Sequence, residues 1–283
     1  MFRLIFSLAL CGCFNNYAHV KKMELNKALK SNFIRVEAKS LGGHQGYCVG
    51  LTVTNLTKDS LQISLEPGTL LKALEEKYQD ILVTKQETIS LKRLEKKLQK
   101  VKGYCCQASD CSPSLNSKFS VGFHSDSNLV TLARYLNTNT SETDAEQHAI
   151  WAISNNHVTA NIISNNEKTE MPLLELVSAL KNEELPWYQI RTRTKVYKSG
   201  AIEVTPLELY GELIYNISQK AYASLTVKDK SGQKVCYIKC QWLETGANQK
   251  YDLKLPLQGL IKGEYTIELN SNGNELASRK FEI

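Results

Sequence analysis

Glu264-Tyr265-Thr266-Ile267-Glu268-Leu269-Asn270-Ser271-Asn272-Gly273-Asn274-Glu275-Leu276-Ala277-Ser278-Arg279-Lys280-Phe281-Glu282-Ile283 is the stretch whose reading decides the architecture. Tyr265, Ile267 and Leu269 alternate with polar neighbours, Asn272-Gly273 interrupts, and Ala277, Arg279, Phe281 and Ile283 alternate again. Asn-Gly tolerates the two positive φ angles of a tight hairpin turn, and a period of two lets one face of each strand be buried. The reading is a β-hairpin that closes a sheet.

Working back from the hairpin, the chain reads as β from beyond Leu185-Pro186-Trp187, where proline disfavours helix in the residue before it. Val196, Ile202 and Val204, then Leu209 to Ile217, Tyr222 to Val227, Val235 to Trp242 and Tyr251 to Leu257 supply the strands, with a turn at Asp229-Lys230-Ser231-Gly232. So many short strands in residues 195–283 make an immunoglobulin-like quantity of β structure. Lys228 to Gly232, Gly259-Leu260-Ile261-Lys262-Gly263-Glu264-Tyr265 and Arg279 to Ile283 resemble the bacterial immunoglobulin-like modules found at the C-termini of exported proteins. These are the flagellar hook-capping type and the sorting domains of type IX secretion cargo. The resemblance implies an immunoglobulin-like sandwich, and cargo with a C-terminal sorting domain is one of the functions it implies.

Residues 126–194 have a different texture. Leu129, Leu132, Ala133 and Leu136 lie at helical spacing; Thr143 with Glu146 forms a capping-box signature before Ala149, Ile150, Trp151 and Ile153; Pro172 opens a third apolar stripe of Leu173, Leu176, Val177 and Leu180. This small helical module reads as a connector packing on a sandwich, with a binding surface or hinge as the alternative. Residues 27–125 read as β again. Phe33 to Ala38 alternates, Val49, Leu51 and Val53 share a face, and Leu61, Ile63 and Leu65 alternate up to Glu66-Pro67-Gly68. Leu91, Leu94, Leu98 and Val101 fit a helical period, yet the neighbouring elements favour two strands with a turn near Glu95-Lys96 over a helix across 91–101. The fold class expected is mainly β: two immunoglobulin-like β-sandwich domains with a small α-helical module between them.

The N-terminus reads as an export signal, with Arg3 before an apolar run, Leu4 to Leu10, too short to span a bilayer. Leu10-Cys11-Gly12-Cys13 resembles the bacterial lipobox, which implies lipidation at Cys13 and a membrane partner reached through that anchor; cleavage after Ala18 and full secretion is the other route. Residues 1–26 are then signal and tether, and the location is the cell envelope, anchored at the outer membrane, or outside the cell. Cys48, Cys105, Cys106, Cys111, Cys236 and Cys240 follow Cys13. Export permits disulfides, and Cys105, Cys106 and Cys111 in a turn-rich segment are the candidates. Cys236 and Cys240, about 13 Å apart at strand rise, are too far apart to bond along one strand. The spacings match no common zinc pattern, so no metal and no cofactor is expected.

With 283 residues and 42% apolar side chains the chain is folded and long enough for more than one core. The net charge of +6 is modest, and the cluster of Lys92, Arg93, Lys96, Lys97, Lys100 and Lys102 reads as a solvated face without a recognition motif, so no nucleic-acid partner is expected. There is no phosphate loop, nucleophile elbow, dinucleotide fingerprint or zinc-protease helix. The polar-aromatic patch of Gln147, His148, Trp151 and His157 is the binding candidate for a protein or glycan, although the apolar neighbours of Trp151 favour a place in the core. Function is therefore expected to be binding or scaffolding. The alternative is a thiol-dependent enzyme pairing Cys106 with His124 or His148.

Overall fold

The computed structural model describes residues 20–164 and 166–283. A strand β1 (Lys21–Glu24) and a short helix α1 (Leu25–Lys30), neither legible in the sequence, lead into β2 (Ile34–Ser40), β3 (Gln45–Asn55), β4 (Leu61–Leu65), β5 (Thr69–Ala73), β6 (Ile81–Val83), β7 (Glu87–Leu91), β8 (Lys96–Cys105) and β9 (Lys118–His124). Three helices follow: α2 (Ser127–Thr138), α3 (Thr143–Ser154) and α4 (Glu167–Lys181). The chain then runs through β10 (Tyr188–Val196), β11 (Ile202–Ile217), β12 (Ala221–Asp229), β13 (Lys234–Leu243), β14 (Gly246–Pro256), β15 (Glu264–Ser271) and β16 (Asn274–Glu282).

The molecule is mainly β, but its N-terminal part is not the sandwich expected for residues 27–125. Strands β2, β3, β8, β6, β5 and β9 form a closed barrel in that order, while β1, β4 and β7 make a small separate sheet. Closure depends on β9, which pairs with β5 and also reaches β2 through Ala38↔Phe119 and Lys39↔Lys118. Joining first and last strands removes the open edges that a sheet otherwise exposes. Val49, Leu51 and Val53 point into the barrel as their alternation requires, and the small sheet and α1 contribute Leu61, Ile63, Leu65, Ile89, Leu91 and Leu25 to the same core. The ambiguous 91–101 stretch is two strands, with Leu94 in the left-handed region (φ 54°) at the turn between β7 and β8. Its helical spacing is coincidental, because Leu94 and Leu98 are exposed.

The helices pack on the outside of the barrel. Leu129, Leu132, Leu136, Ile150, Leu173 and Val177 share a core with Leu82, Tyr104 and Cys106 from β6 and the end of β8. Asp126 caps α2, accepting from the backbone of Asn128 and Leu129 at 2.9 and 3.0 Å. The capping box read at Thr143 does not form, since Glu142 occupies the cap position and its side chain does not cap the helix. Glu146, fully buried, instead accepts from Ser141 N at 3.1 Å, from Lys102 Nζ at 2.8 Å and from the Tyr104 hydroxyl. Pro172 lies inside α4 and does not open it.

The C-terminal unit starts at Tyr188, upstream of the boundary expected at 195. Two sheets, β10-β11-β14 and β13-β12-β15-β16, face each other across one core that takes Ile190, Leu209, Leu213 and Leu255 from the first and Leu225, Val227, Ile267 and Phe281 from the second. The closing hairpin forms as expected, with Asn272 and Gly273 both at positive φ (48° and 81°), and a register shift between Leu269 and Asn270 sets Tyr265 opposite Phe281 and Ile267 opposite Arg279. The Tyr265 and Phe281 rings stack at 5.4 Å.

Candidate functional site

The patch read from the sequence lies on α3 and the segment after it, where barrel, helices and C-terminal unit meet. Gln147 is buried and clamps the backbone of Cys105, its Nε2 donating to the carbonyl at 2.8 Å and its Oε1 accepting from the amide at 3.3 Å. That bond satisfies the end of β8 and leaves the amide side chain occupied. Trp151 is 0% exposed, so it cannot stack on a ligand. Around it stand three imidazoles: His44 stacked at 6.1 Å, His148 edge-on at 5.7 Å and His157 tilted at 6.0 Å.

Helical spacing places His148 and Trp151 on one face of α3, while His44 comes from the loop before β3 and His157 from the loop after α3. Burial holds all three rings below the usual histidine pKa. His148 is pushed down to about 4 by burial, against a weaker opposing pull from Asp144 and with His157 and His44 adding to the depression. His44 is lowered by burial, opposed by Asp144, and His157 by burial and then by the charges of Lys262 and Lys181. The cluster is thus a set of neutral rings around an indole. No group of three or more metal-ligating side chains occurs among the described residues.

His148 Nε2 meets Thr192 Oγ1 at 3.1 Å, which ties α3 to β10. Thr192 stands opposite Pro206, where the β10–β11 register shifts after Arg191. Proline has no amide to donate to the ladder, and a bulge accommodates it while re-aiming a neighbouring side chain. Beside this bulge lies a cavity of about 240 Å³ whose lining includes His157, Asn161, Thr192 and Lys262 together with Val204 and Leu260. The 3₁₀ turn Thr159–Asn161 forms another part of its rim and sinks Ala160 into the C-terminal core. The Pro206 bulge was missed in the sequence because it belongs to no motif, and Lys262 was read there only as part of the Gly259 to Tyr265 stretch.

The cysteine readings place differently. Cys105, Cys106 and Cys111 are all free. Successive residues of a strand point to opposite sides, so Cys105 enters the barrel core and Cys106 the helical core, while Cys111 sits on a loop bridged to Tyr78. Burial drives the thiols of Cys105 and Cys106 well above their ordinary pKa. His124 bonds Asn26 at 3.0 Å and His148 bonds Thr192, so the structure brings neither to Cys106. Cys236 is likewise free. The lipidation candidate Cys13 lies outside the described residues, and no helix among those described is long and apolar enough to cross a membrane. In the basic cluster, Lys102 is turned inward to Glu146, and Lys92, Arg93, Lys96 and Lys100 are exposed.

A second feature lies on the outer face of the four-stranded sheet. In β12, Ala221, Ala223, Leu225 and Val227 face the core, so the alternate positions face out. Tyr222 pairs with Trp242 and Thr226 with Tyr237 on the outermost strand β13. Tyr222, Tyr237 and Trp242 are 43, 53 and 59% exposed, and the Tyr222 and Trp242 rings meet edge-on at 5.6 Å. Half-buried Ser224, Glu268 and Asn270 continue this face onto β12 and β15, while Thr226 between them is only 5% exposed. These side chains are solvent-facing aromatics beside hydroxyl, amide and carboxylate groups.

The molecule is thus of a mainly β class, in which a closed barrel carries a helical layer that abuts a two-sheet C-terminal unit. No family model matches the chain, and no curated protein matches it in sequence.

Proposed function

We propose that this chain is an exported, lipid-anchored protein of a bacterial envelope that acts by binding a glycan on the outer face of its C-terminal sheet. The observation that carries the binding reading is the exposed trio Tyr222, Tyr237 and Trp242 on one sheet face. Aromatic rings with an apolar body, flanked by hydrogen-bonding groups, suit the alternating C–H faces and hydroxyls of a sugar chain. Along β12 the Tyr222 and Thr226 positions lie roughly 13 Å apart, enough for an extended chain rather than a single ring. The patch read from the sequence is replaced as the docking surface, because Trp151 is closed off.

The C-terminal unit is read as immunoglobulin-like. Its strand order puts the first, second and fifth strands on one sheet and the third, fourth, sixth and seventh on the other. This is the constant-type arrangement with the fourth strand moved to the opposite sheet. The barrel and helices are read as the body that holds this module away from a lipid at Cys13. Supporting the export part is the N-terminal sequence, Arg3 to Cys13.

Binding is tested by co-sedimentation with insoluble polysaccharides and peptidoglycan, comparing the parent with a Tyr222→Ala, Trp242→Ala double variant. Capture of the parent and loss of capture in the variant, with an unchanged melting curve, supports the reading. Equal behaviour of the two proteins sinks it, and capture of a protein partner by this face replaces the glycan.

A further inference from the structure

The cavity beside the Pro206 bulge shares no lining residue with the aromatic face, and its lining holds both apolar and polar side chains. Val204, Pro206 and Leu260 make an apolar wall, while His157, Asn161, Thr192 and Lys262 supply the polar groups. A space of about 150 Å³ admits a benzene ring, so a cavity of about 240 Å³ has room for a ring with a short chain, or a branched aliphatic body of similar size. That is below the range of drug-sized sites and suits a small ligand.

Lys262 carries the one charged side chain among the lining residues, and Ile283, also in the lining, has its main-chain oxygen taken up by Gly263 N at 3.2 Å. Lys262 makes no ion pair among the described residues, and no carboxylate acts on the neighbouring His157. Lys181, the other cation near His157, is already engaged by Glu183 at 3.0 Å and by the His157 carbonyl at 2.8 Å. Thr192 adds an oriented hydroxyl. His148 is buried, its Nδ1 has no partner and its Nε2 faces Thr192. With Nε2 protonated, the ring donates to Thr192 Oγ1 and leaves the threonine hydrogen free to be donated in turn. Ammonium, hydroxyl and amide N–H together form a donor set that a carboxylate satisfies and a cation does not.

From this arrangement we infer that the junction between the helical layer and the C-terminal unit is a binding site for a small organic monocarboxylate with an aromatic or branched apolar body. Its carboxylate lies between Lys262 and Thr192, and its body lies against Val204 and Leu260. The ligand bridges the 157–161 segment and the C-terminal sheet β10-β11, so occupancy ties the two parts together.

The probes are 3-phenylpropionate and hexanoate, each with its neutral amide, titrated into the purified full chain by calorimetry and ligand-detected NMR. The acid is expected to bind at least about tenfold more tightly than its amide, the usual scale for one charge-assisted contact. Lys262→Ala should abolish that difference while leaving weak binding of the apolar body. Thr192→Val should reduce acid affinity by less than the lysine change. Val204→Trp, which fills the apolar end, should remove binding of both acid and amide without shifting the melting temperature. Equal affinity of acid and amide for the parent, an unchanged preference in Lys262→Ala, or absence of saturable binding up to about 10 mM each overturns the inference. If Val204→Trp unfolds the chain, Leu260→Trp serves the same purpose, and continued acid binding by that folded variant also overturns it.

Discussion

Substituting Glu146 by alanine removes a carboxylate that three donors share at the seam between barrel and helices. Glu146 has no exposed surface, and the side chain of Lys102, which donates to it at 2.8 Å, is 13% exposed. The Tyr104 hydroxyl and the Ser141 amide are its other donors. Breaking a buried pair from one side costs about 3 to 5 kcal/mol, because the remaining charge stays desolvated without a partner. Lys102 keeps some access to water, so the lower end, about 3 kcal/mol, applies; a domain's whole stability is about 5 to 15 kcal/mol. The assay is native-state hydrogen exchange on the amides of β8 and α3, where that loss should cut protection by roughly two orders of magnitude. Glu146→Gln keeps acceptors for Tyr104 and Ser141 and should cost less. The pair Lys102→Met with Glu146→Leu, which removes both charges, should recover much of the loss. If Glu146→Ala leaves protection within tenfold of the parent, or the paired variant is the weaker protein, the carboxylate does not hold the seam.

Acid should destabilise the junction. His148 titrates at about 4 when folded and near 6.5 unfolded, so the unfolded chain binds the extra proton first and stability falls as pH drops from about 6.5 towards 4, by at most about 3 kcal/mol from this ring. The lowered His44 and His157 act with the same sign; His148→Gln should flatten the pH dependence of the melting temperature, and an unchanged slope contradicts the assignment. Deleting residues 276–283 removes Phe281, Ile283 and most of β16. At about 1.5 to 3 kcal/mol for each large side chain, the C-terminal unit should lose its cooperative melt; a tail whose loss leaves the melt intact is an exposed signal instead. Gly103→Ala should cost about 1 to 3 kcal/mol by overpacking, since a Cβ there would sit 2.5 Å from Ile81 Cγ2, and thermal melts measure it. Cys13→Ala should move the protein from the membrane to the soluble fraction; unchanged fractionation with no acyl mass on the parent removes the anchor.

How much was legible depended on how local each signal was. The closing hairpin was readable because Asn272-Gly273 and the alternation of Tyr265, Ile267 and Phe281 sit within twenty consecutive residues, and turn chemistry and strand period act at that range. The helices α2 and α3 and the strands on either side of Leu94 were readable for the same reason. In the candidate site, the sequence singled out Gln147, His148, Trp151 and His157 and favoured a core place for Trp151, which is where it lies. What their side chains do was not readable, because Gln147 serves Cys105 and His148 serves Thr192 across gaps of 42 and 44 positions.

Tertiary structure alone decided whether the N-terminal strands make a sandwich or a barrel. Both require the same alternation, and they differ only in whether β9 returns to β2 through Ala38↔Phe119, a pairing without a local signature. It also decided the chemistry of single residues. Glu146 looked like a capping residue and is the buried partner of Lys102, and Cys105, Cys106 and Cys111 looked like disulfide candidates of one turn-rich segment, yet Cys105 and Cys106 point into separate cores. Lys262 became notable only once folding set it in one cavity lining with Thr192 and His157, without an ion pair among the described residues. Period and turn chemistry are properties of neighbours along the chain and can be read there. Closure, burial of a charge and the shape of a cavity are properties of neighbours in space, and they exist only after the chain has packed.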